Sequence, residues 1–221
     1  MKKGREPVSV LKEGYPFIFP PLAAGLGLVI IPRLAGLEAA VFYYILPALG
    51  IVLVFFALFC LFFFRDPAIT ISTGENHVLS PCNGTVIEVR KEENETIIRI
   101  FLSVFNVHLQ RSPVKGKLTN LEYKKGRFLM AFNPLAHSLN EQNIFTIENE
   151  HGRFTVSQVA GFLARRCVSW VKTGDQLKQG DKIGCIKFGS QVDICLPKSV
   201  GTALRSGETV RAGITIIGEI P

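Results

Sequence analysis

Hydrophobic and polar positions divide this chain into two unlike parts. Residues 16 to 64 hold two charged side chains, Arg33 and Glu38, and the apolar residues between them favour no face. The run "PFIFPPLAAGLGLVII" passes through "PRLAGLEAA" into "VFYYILPALGIVLVFFALFCLFFF". A helix needs about 20 apolar residues to cross the hydrocarbon core of a bilayer. A helix apolar on every side has no surface to offer water. The pattern predicts a membrane helical hairpin over residues 16–64, with its loop near Arg33. Pro20, Pro21 and Pro47 interrupt it, which membrane helices tolerate. The length and doubling of the apolar run argue against a cleaved signal peptide. A buried core hairpin of a soluble protein is the competing reading.

From residue 65 the period changes. A polar connector with Pro67 and Gly74 leads into short segments: "GTVIEVR", "ETIIRIFLSVF", "KLTNLEYK", "RFLMAF", "NIFTIENE" and "RFTVSQVAGF". Turn residues separate them, at Asn83-Gly84, Lys115-Gly116, Gly126 and His151-Gly152. Short strands punctuated in this way predict a mainly β, β-sandwich-like domain over 65–221. The stretch "VAGFLARRCVSWV" fits either a short helix or a buried strand. One internal echo stands out: "GDQLKQG" at 174–180 and "GETVRAG" at 207–213 share glycine, acid, aliphatic, base and glycine at matched positions. Each is followed by an apolar strand. They suggest two matching β units near the C-terminus, of the lipoyl-carrier-like kind, though such turns also recur by chance.

Charge adds an orientation. The chain of 221 residues has a formal net charge of +7. Lys2, Lys3, Arg5 and Lys12 precede the hairpin and Arg65 follows it. By the positive-inside rule, residues 1–15 form a basic cytoplasmic N-terminus, and the β domain faces the cytoplasm from the cell membrane. A basic chain suits nucleic acid or anionic lipid. No nucleic-acid recognition motif accompanies the charge, so lipid is the expected partner. Cys60, Cys82, Cys167, Cys185 and Cys195 are odd in number and lack C-x-x-C spacing, as in a reducing compartment.

Candidate chemistry narrows to one bond. G-x-S-x-G, H-E-x-x-H, the P-loop and G-x-G-x-x-G are all absent, and His77, His108, His137 and His151 lack metal-ligand spacing. What remains is Gly189-Ser190 in "CIKFGSQVDICLP". Glycine leaves its carbonyl open to approach. The Ser190 hydroxyl can attack it, shifting the acyl group from nitrogen to oxygen. Loss of the Ser190 α-proton then expels the Gly189 carboxylate. The dehydroalanine left behind hydrolyses to a pyruvoyl group and ammonia. A pyruvoyl ketone forms a Schiff base with a substrate amine and draws electrons from its α-carbon. A plain turn serine is the alternative.

Longer motifs point the same way. "FFRDP" at 63–67, "LSPCNGTV" at 79–86, "FLSVFNVHLQRSPVKG" at 101–116, "NEQN" at 140–143, "VAGFLARR" at 159–166 and "FGSQVDICLP" at 188–197 together resemble the phosphatidylserine decarboxylases of the short, membrane-anchored prokaryotic type. The resemblance implies self-cleavage into a β chain, 1–189, and an α chain, 190–221, that stay together as a heterodimer. It implies a covalent pyruvoyl cofactor from Ser190, no metal, and phosphatidylserine in the membrane as substrate. A homo-oligomer is left open. His108 matches the histidine tied to decarboxylation, and a proton donor to the substrate α-carbon fits its pKa range. Arg111 is a candidate for a phosphate or carboxylate. The family has Asp where this chain has Asn83, and longer members have a second histidine where it has Arg111. The maturation relay therefore does not carry over intact, because Asn orients partners but takes no proton. The alternatives are an uncleaved lipid-binding pseudoenzyme, kept alive by Asn83, and a decarboxylase of a related lipid such as archaetidylserine.

Overall fold

The computed structural model describes residues 8–36, 39–127, 129, 139–161, 166–188 and 190–221. The chain divides into two compact units, Met1–Ala68 and Ile69–Pro221. Part of the expected strand "RFLMAF", the residues Lys2, Lys3, Arg5, Glu38 and His137, and Gly189 lie outside the described residues.

The first unit is the expected hairpin. Helix α1 (Tyr15–Leu34) runs into a short connection, then a π-helical turn over Val41–Ile45 leads into α2 (Leu46–Phe63). Both helical stretches are long and apolar enough to cross a membrane. Pro20, Pro21 and Pro32 lie inside α1 without ending it. The helices meet where each has a glycine. A methyl group on Gly25 would lie 2.7 Å from the Gly50 carbonyl oxygen, and one on Gly50 would lie 2.6 Å from that of Gly25. Small residues let helix backbones approach closely where packing, not water, drives association. A two-residue pairing closes the unit. Strand β1 (Ser9–Val10) lies antiparallel to β2 (Arg65–Asp66), so the first residues of the polar connector belong to the hairpin.

The second unit is all strand among its described elements. It contains β3 (His77–Leu79), β4 (Gly84–Lys91), β5 (Glu95–Leu102), β6 (Leu109–Arg111), β7 (Gly116–Lys124), β8 (Gln142–Asn149) and β9 (Gly152–Ala160). After these come β10 (Arg166–Ser169), β11 (Gln176–Leu177), β12 (Lys182–Lys187), β13 (Ser190–Pro197), β14 (Thr209–Val210) and β15 (Ile216–Glu219). The stretch that the sequence leaves between helix and strand is strand at both ends, in β9 and β10. Pairing decides it: Arg166–Ser169 is hydrogen-bonded along β12. An eight-stranded antiparallel sheet has the order β11-β7-β8-β9-β13-β5-β4-β14, a three-stranded sheet is ordered β10-β12-β6, and β15 pairs with β3. Alternating residues of the large sheet, among them Ile98, Ile100, Phe145, Val156, Val192 and Ile194, share one buried core with Ile183 and Ile186 of β12. This is the sandwich-like arrangement that period-2 patterning predicts.

The large sheet has an internal two-fold relation. The turn units 174–180 and 207–213 supply its two edge strands, β11 on β7 and β14 on β4. Their hydrogen bonds correspond one for one. Val86 N–H donates to Glu208 O at 2.8 Å and Leu118 N–H to Asp175 O at 2.9 Å. Gly213 N–H donates to Ser80 O and Gly180 N–H to Ser112 O, both at 2.9 Å. Gly180 and Gly213 have φ of 85° and 67°, a left-handed conformation that glycine adopts without strain. The echo therefore extends to a motif the sequence reading passed over, Ser-Pro-x-x-Gly, at 80–84 and again at 112–116. In each copy the serine hydroxyl donates to the carbonyl two residues on, Cys82 at 2.8 Å and Val114 at 2.7 Å. The β-bulges match too, between Val86 and Glu88 and between Leu118 and Asn120.

Candidate active site

Ser190 opens β13, the strand between β5 and β9 near the middle of the large sheet. Its backbone pairs with Leu102 on one side and Ala160 on the other. β12 of the small sheet precedes it in the chain, so Ser190 is the first residue of the large sheet after the passage from the small one. Phe188, one residue before that bond, has φ of 60°. A bulky side chain rarely adopts this conformation, and holding it there costs about 1–3 kcal/mol.

His108 comes from the other element that leaves this end of the sheet. After Leu102 the chain makes a tight turn. Asn106 Oδ1 accepts from the Ser103 backbone N–H at 2.9 Å and lies 3.0 Å from the Ser103 hydroxyl. The chain then enters β6, where the His108 carbonyl accepts from Ile186 N–H at 3.1 Å. This ties the histidine to β12 two residues before Phe188. The ring is 2% exposed. Its Nδ1 lies 3.0 Å from the Asn106 carbonyl oxygen. A carbonyl only accepts, so Nδ1 carries the proton and Nε2 is the basic nitrogen of the neutral ring.

Asn83 stands at the same end of the sheet, in the turn before β4. Only β5 lies between its strand and that of Ser190, two strand spacings or roughly 10 Å. Its Oδ1 accepts from Ala212 N–H at 3.0 Å, fastening the β14 turn unit to the Ser-Pro-Cys-Asn-Gly turn. A carboxylate would accept the same bond. Arg111 is not gathered with the others. It lies three residues along β6 from His108, paired with Lys182, and its Nη1 donates to the Gly180 carbonyl at 2.8 Å. It lines a cavity of about 510 Å³ with Ile71, Leu177 and Asp181. The sheet end thus brings together Ser190, His108 and Asn83, while Arg111 braces the turn unit beyond.

Beneath His108 runs a chain of buried amides to which the sequence reading assigned no role. Gln110 Nε2 donates to the His108 carbonyl at 3.0 Å, Gln158 Nε2 to Gln110 Oε1 at 2.7 Å, and Asn143 Nδ2 to Gln158 Oε1 at 3.0 Å. Gln110 and Gln158 are wholly buried. Such amides are costly to leave unsatisfied, and here each completes the next from β8 across to β6. The "NEQN" stretch supplies more of this floor. Asn140 donates to the Ala160 carbonyl at 2.7 Å, and the buried Glu141 accepts from Tyr123 at 3.2 Å and from Cys167 N–H at 3.3 Å. Four polar residues in succession between apolar strands was the available signal.

Burial, followed by the Glu141 charge, pushes the Cys167 thiol well up. Burial and then Asp193 push up Cys82, and Cys195 is pushed up to about 12, mainly by burial. These thiols stay protonated at neutral pH and are structural. Among the described residues no group of three His, Cys, Asp or Glu side chains is placed to hold a metal ion.

Residues 56–218 match the family model described as phosphatidylserine decarboxylase. A phosphatidylserine decarboxylase proenzyme of Symbiobacterium thermophilum is 39% identical over 229 aligned residues, covering 100% of both chains. One of Carboxydothermus hydrogenoformans is 44% identical over 78% of this chain and 84% of its own. A putative archaetidylserine decarboxylase proenzyme of Methanosarcina mazei is 41% identical over 72% of this chain and 74% of its own. The chain belongs to the phosphatidylserine decarboxylase family.

Proposed function

We propose that this chain removes the carboxyl group of phosphatidylserine as carbon dioxide, leaving phosphatidylethanolamine, after cutting itself between Gly189 and Ser190. The observation that carries the proposal is the left-handed Phe188 directly before that bond, at a crossover flanked by a buried histidine. Strained backbone clusters at reactive sites.

The residues present suit a pyruvoyl group. Ser190 begins a strand pinned on both sides, so a new chain terminus there would stay in register while the severed end of 1–189 moves aside. The group would supply an electrophilic carbonyl that takes up the substrate amine and an electron sink for the bond to the departing carboxylate. The protein's own part is orientation and proton supply. The Asn106 carbonyl holds the His108 ring in one tautomer, and Gln110 braces the His108 backbone. When charged, that ring donates from Nε2 to the carbon that loses carbon dioxide. Chains 1–189 and 190–221 remain joined because β13 pairs with β5 and β9 along most of its length. The apolar hairpin would keep the domain at a bilayer, on the cytoplasmic side by the flanking charges.

Intact mass of the purified protein is the test. The expected result is two chains, with residues 190–221 lighter than the serine-started peptide by the exchange of an amine for a ketone. The Ser190→Ala variant should stay as one inactive chain of about 24.4 kDa. A single uncut wild-type chain that nevertheless binds anionic lipid would favour a pseudoenzyme instead.

A further inference from the structure

We propose that the end of the large sheet carrying Ser190 is a docking face for an anionic bilayer. The idea rests on the decarboxylase reading only for its purpose, which is to bring lipid headgroups to the site. Its warrant is the distribution of side chains.

Exposed apolar groups collect at this end. Phe105, 69% exposed, sits at the tip of the Ser103–Asn106 turn, three residues past the Leu102 that pairs with Ser190. Leu139 is 38% exposed and precedes Asn140, which is bonded to Ala160 on the other side of Ser190. Tyr123, 59% exposed, stands one strand further out, its hydroxyl on Glu141. The Phe105 turn is braced by Asn106, so the ring is presented at a set height. An aromatic ring exposed on a braced turn is suited to the headgroup boundary.

Among the described residues, basic side chains predominate around these groups. Lys124 and Lys125 end β7, Arg127 bridges to Asn140, and Arg166 pairs with Lys187 just ahead of the cleavage bond. Exposed carboxylates towards this end include Glu122, 3.8 Å from Lys124, and Glu208 on the β14 edge. At the opposite end of the same sheet the exposed charges are mixed. Glu92, Glu93, Glu148 and Glu150 stand with Lys91, Lys117, Arg153 and Lys198. Among the described residues, the Ser190 end of the sheet pairs apolar tips with a mainly cationic rim. A basic rim is attracted to anionic lipid over about a Debye length, and apolar tips then enter the boundary.

The test uses the full chain in vesicles that contain no serine lipid, made of phosphatidylglycerol or of phosphatidylcholine. Trp170, the single tryptophan of the chain, is replaced by Phe, and a reporter is placed by Phe105→Trp or, separately, Tyr123→Trp. Lipids brominated near the headgroup should quench both reporters by more than half in phosphatidylglycerol. Quenching should fall at least twofold in phosphatidylcholine, and likewise after Arg127→Glu with Arg166→Glu. A Glu93→Trp reporter at the far end should remain unquenched. Quenching at 105 and 123 no greater than at 93, or equal in both lipids, overturns the docking face. Carbon dioxide release from phosphatidylserine is measured in parallel. Release without quenching refutes the docking face and leaves the decarboxylase reading standing, while quenching without release does the reverse.

Discussion

The two halves of the large sheet are built to one plan, and one of them is broken open. In the closed half, β7, β8 and β9 follow one another, and β8 turns into β9 through Glu150 and His151, with Asn149 opposite Gly152. In the open half, β4 and β5 are followed not by a hairpin but by a departure. The chain leaves at Ser103, passes through His108 and the rest of the second half, and returns at Ser190 opposite Leu102. The bulges and edge turns correspond, so Ser190 takes the place that Gly152 holds in the closed half. The break is where the proposed site residues Ser190 and His108 lie. A tight hairpin satisfies its own backbone and leaves no room. An interrupted one brings two remote segments to a sheet end, with Phe188 held in a left-handed conformation just before Ser190. Function is grafted onto a repeated frame, in one copy and not the other.

Mutations at matched positions should break or sharpen this contrast. The largest effect is expected for His108→Ala against His151→Ala. Loss of a general acid typically costs about 10²–10⁴-fold in rate. His108→Ala should lose decarboxylation on that scale while still being cut. His151→Ala, in the closed hairpin beside Glu150, should retain wild-type turnover. Carbon dioxide release from verified two-chain protein measures both, and equal turnover of the two variants would refute the assignment.

Next come Asn83→Asp and Lys115→Asp, the same position in the two Ser-Pro-x-x-Gly turns. Asp at 83 keeps the bond from Ala212 N–H and adds a base beside the site. It should hasten self-cleavage about tenfold or more, below the ceiling for general-base help, and leave mature turnover unchanged. Asp at 115 should not alter cleavage. A time course on gels after rapid synthesis distinguishes them. Slower cleavage in Asn83→Asp would remove Asn83 from the maturation relay.

A smaller effect is expected from Gln158→Leu, which breaks the amide chain under His108. It strands polar groups of Gln110 and Asn143, at about 1–3 kcal/mol each. Denaturant unfolding of the uncut Ser190→Ala background should show the loss. The matched change on the outer face, Ser157→Ala, should cost little.

The smallest concerns the thiols. With Cys195 pushed up to about 12, and Cys82 and Cys167 also raised, the thiolate is the minor form at pH 8. Alkylation of Cys195 in folded protein should therefore be slow at pH 8, rise about tenfold per pH unit towards 12, and become fast on unfolding. Rapid labelling of Cys195 at pH 8 would place it outside the sheet core.

The sequence by itself determined what depends on local pattern. Unbroken apolarity specified the hairpin, because a helix without a polar face has no place in water. Period-2 alternation and turn residues specified the β domain. The motifs around Gly189-Ser190 and His108 are long enough to show the family, and the roles proposed for those residues rest on it. The second Ser-Pro-x-x-Gly turn was equally legible, but it matters only once both copies are seen to anchor edge strands. Tertiary structure alone decided the rest. Nothing local brings residue 102 opposite residue 190, or Gln110 beneath Gln158. The left-handed conformation of Phe188 is not written in its own residue type, since bulky side chains rarely adopt it. Nor does anything local show that the Arg111 guanidinium meets the Gly180 carbonyl, supplied by a turn 69 residues away in the chain. Register between distant strands is set by which faces share a core. That property belongs to the assembled sheet and to no single segment of the chain.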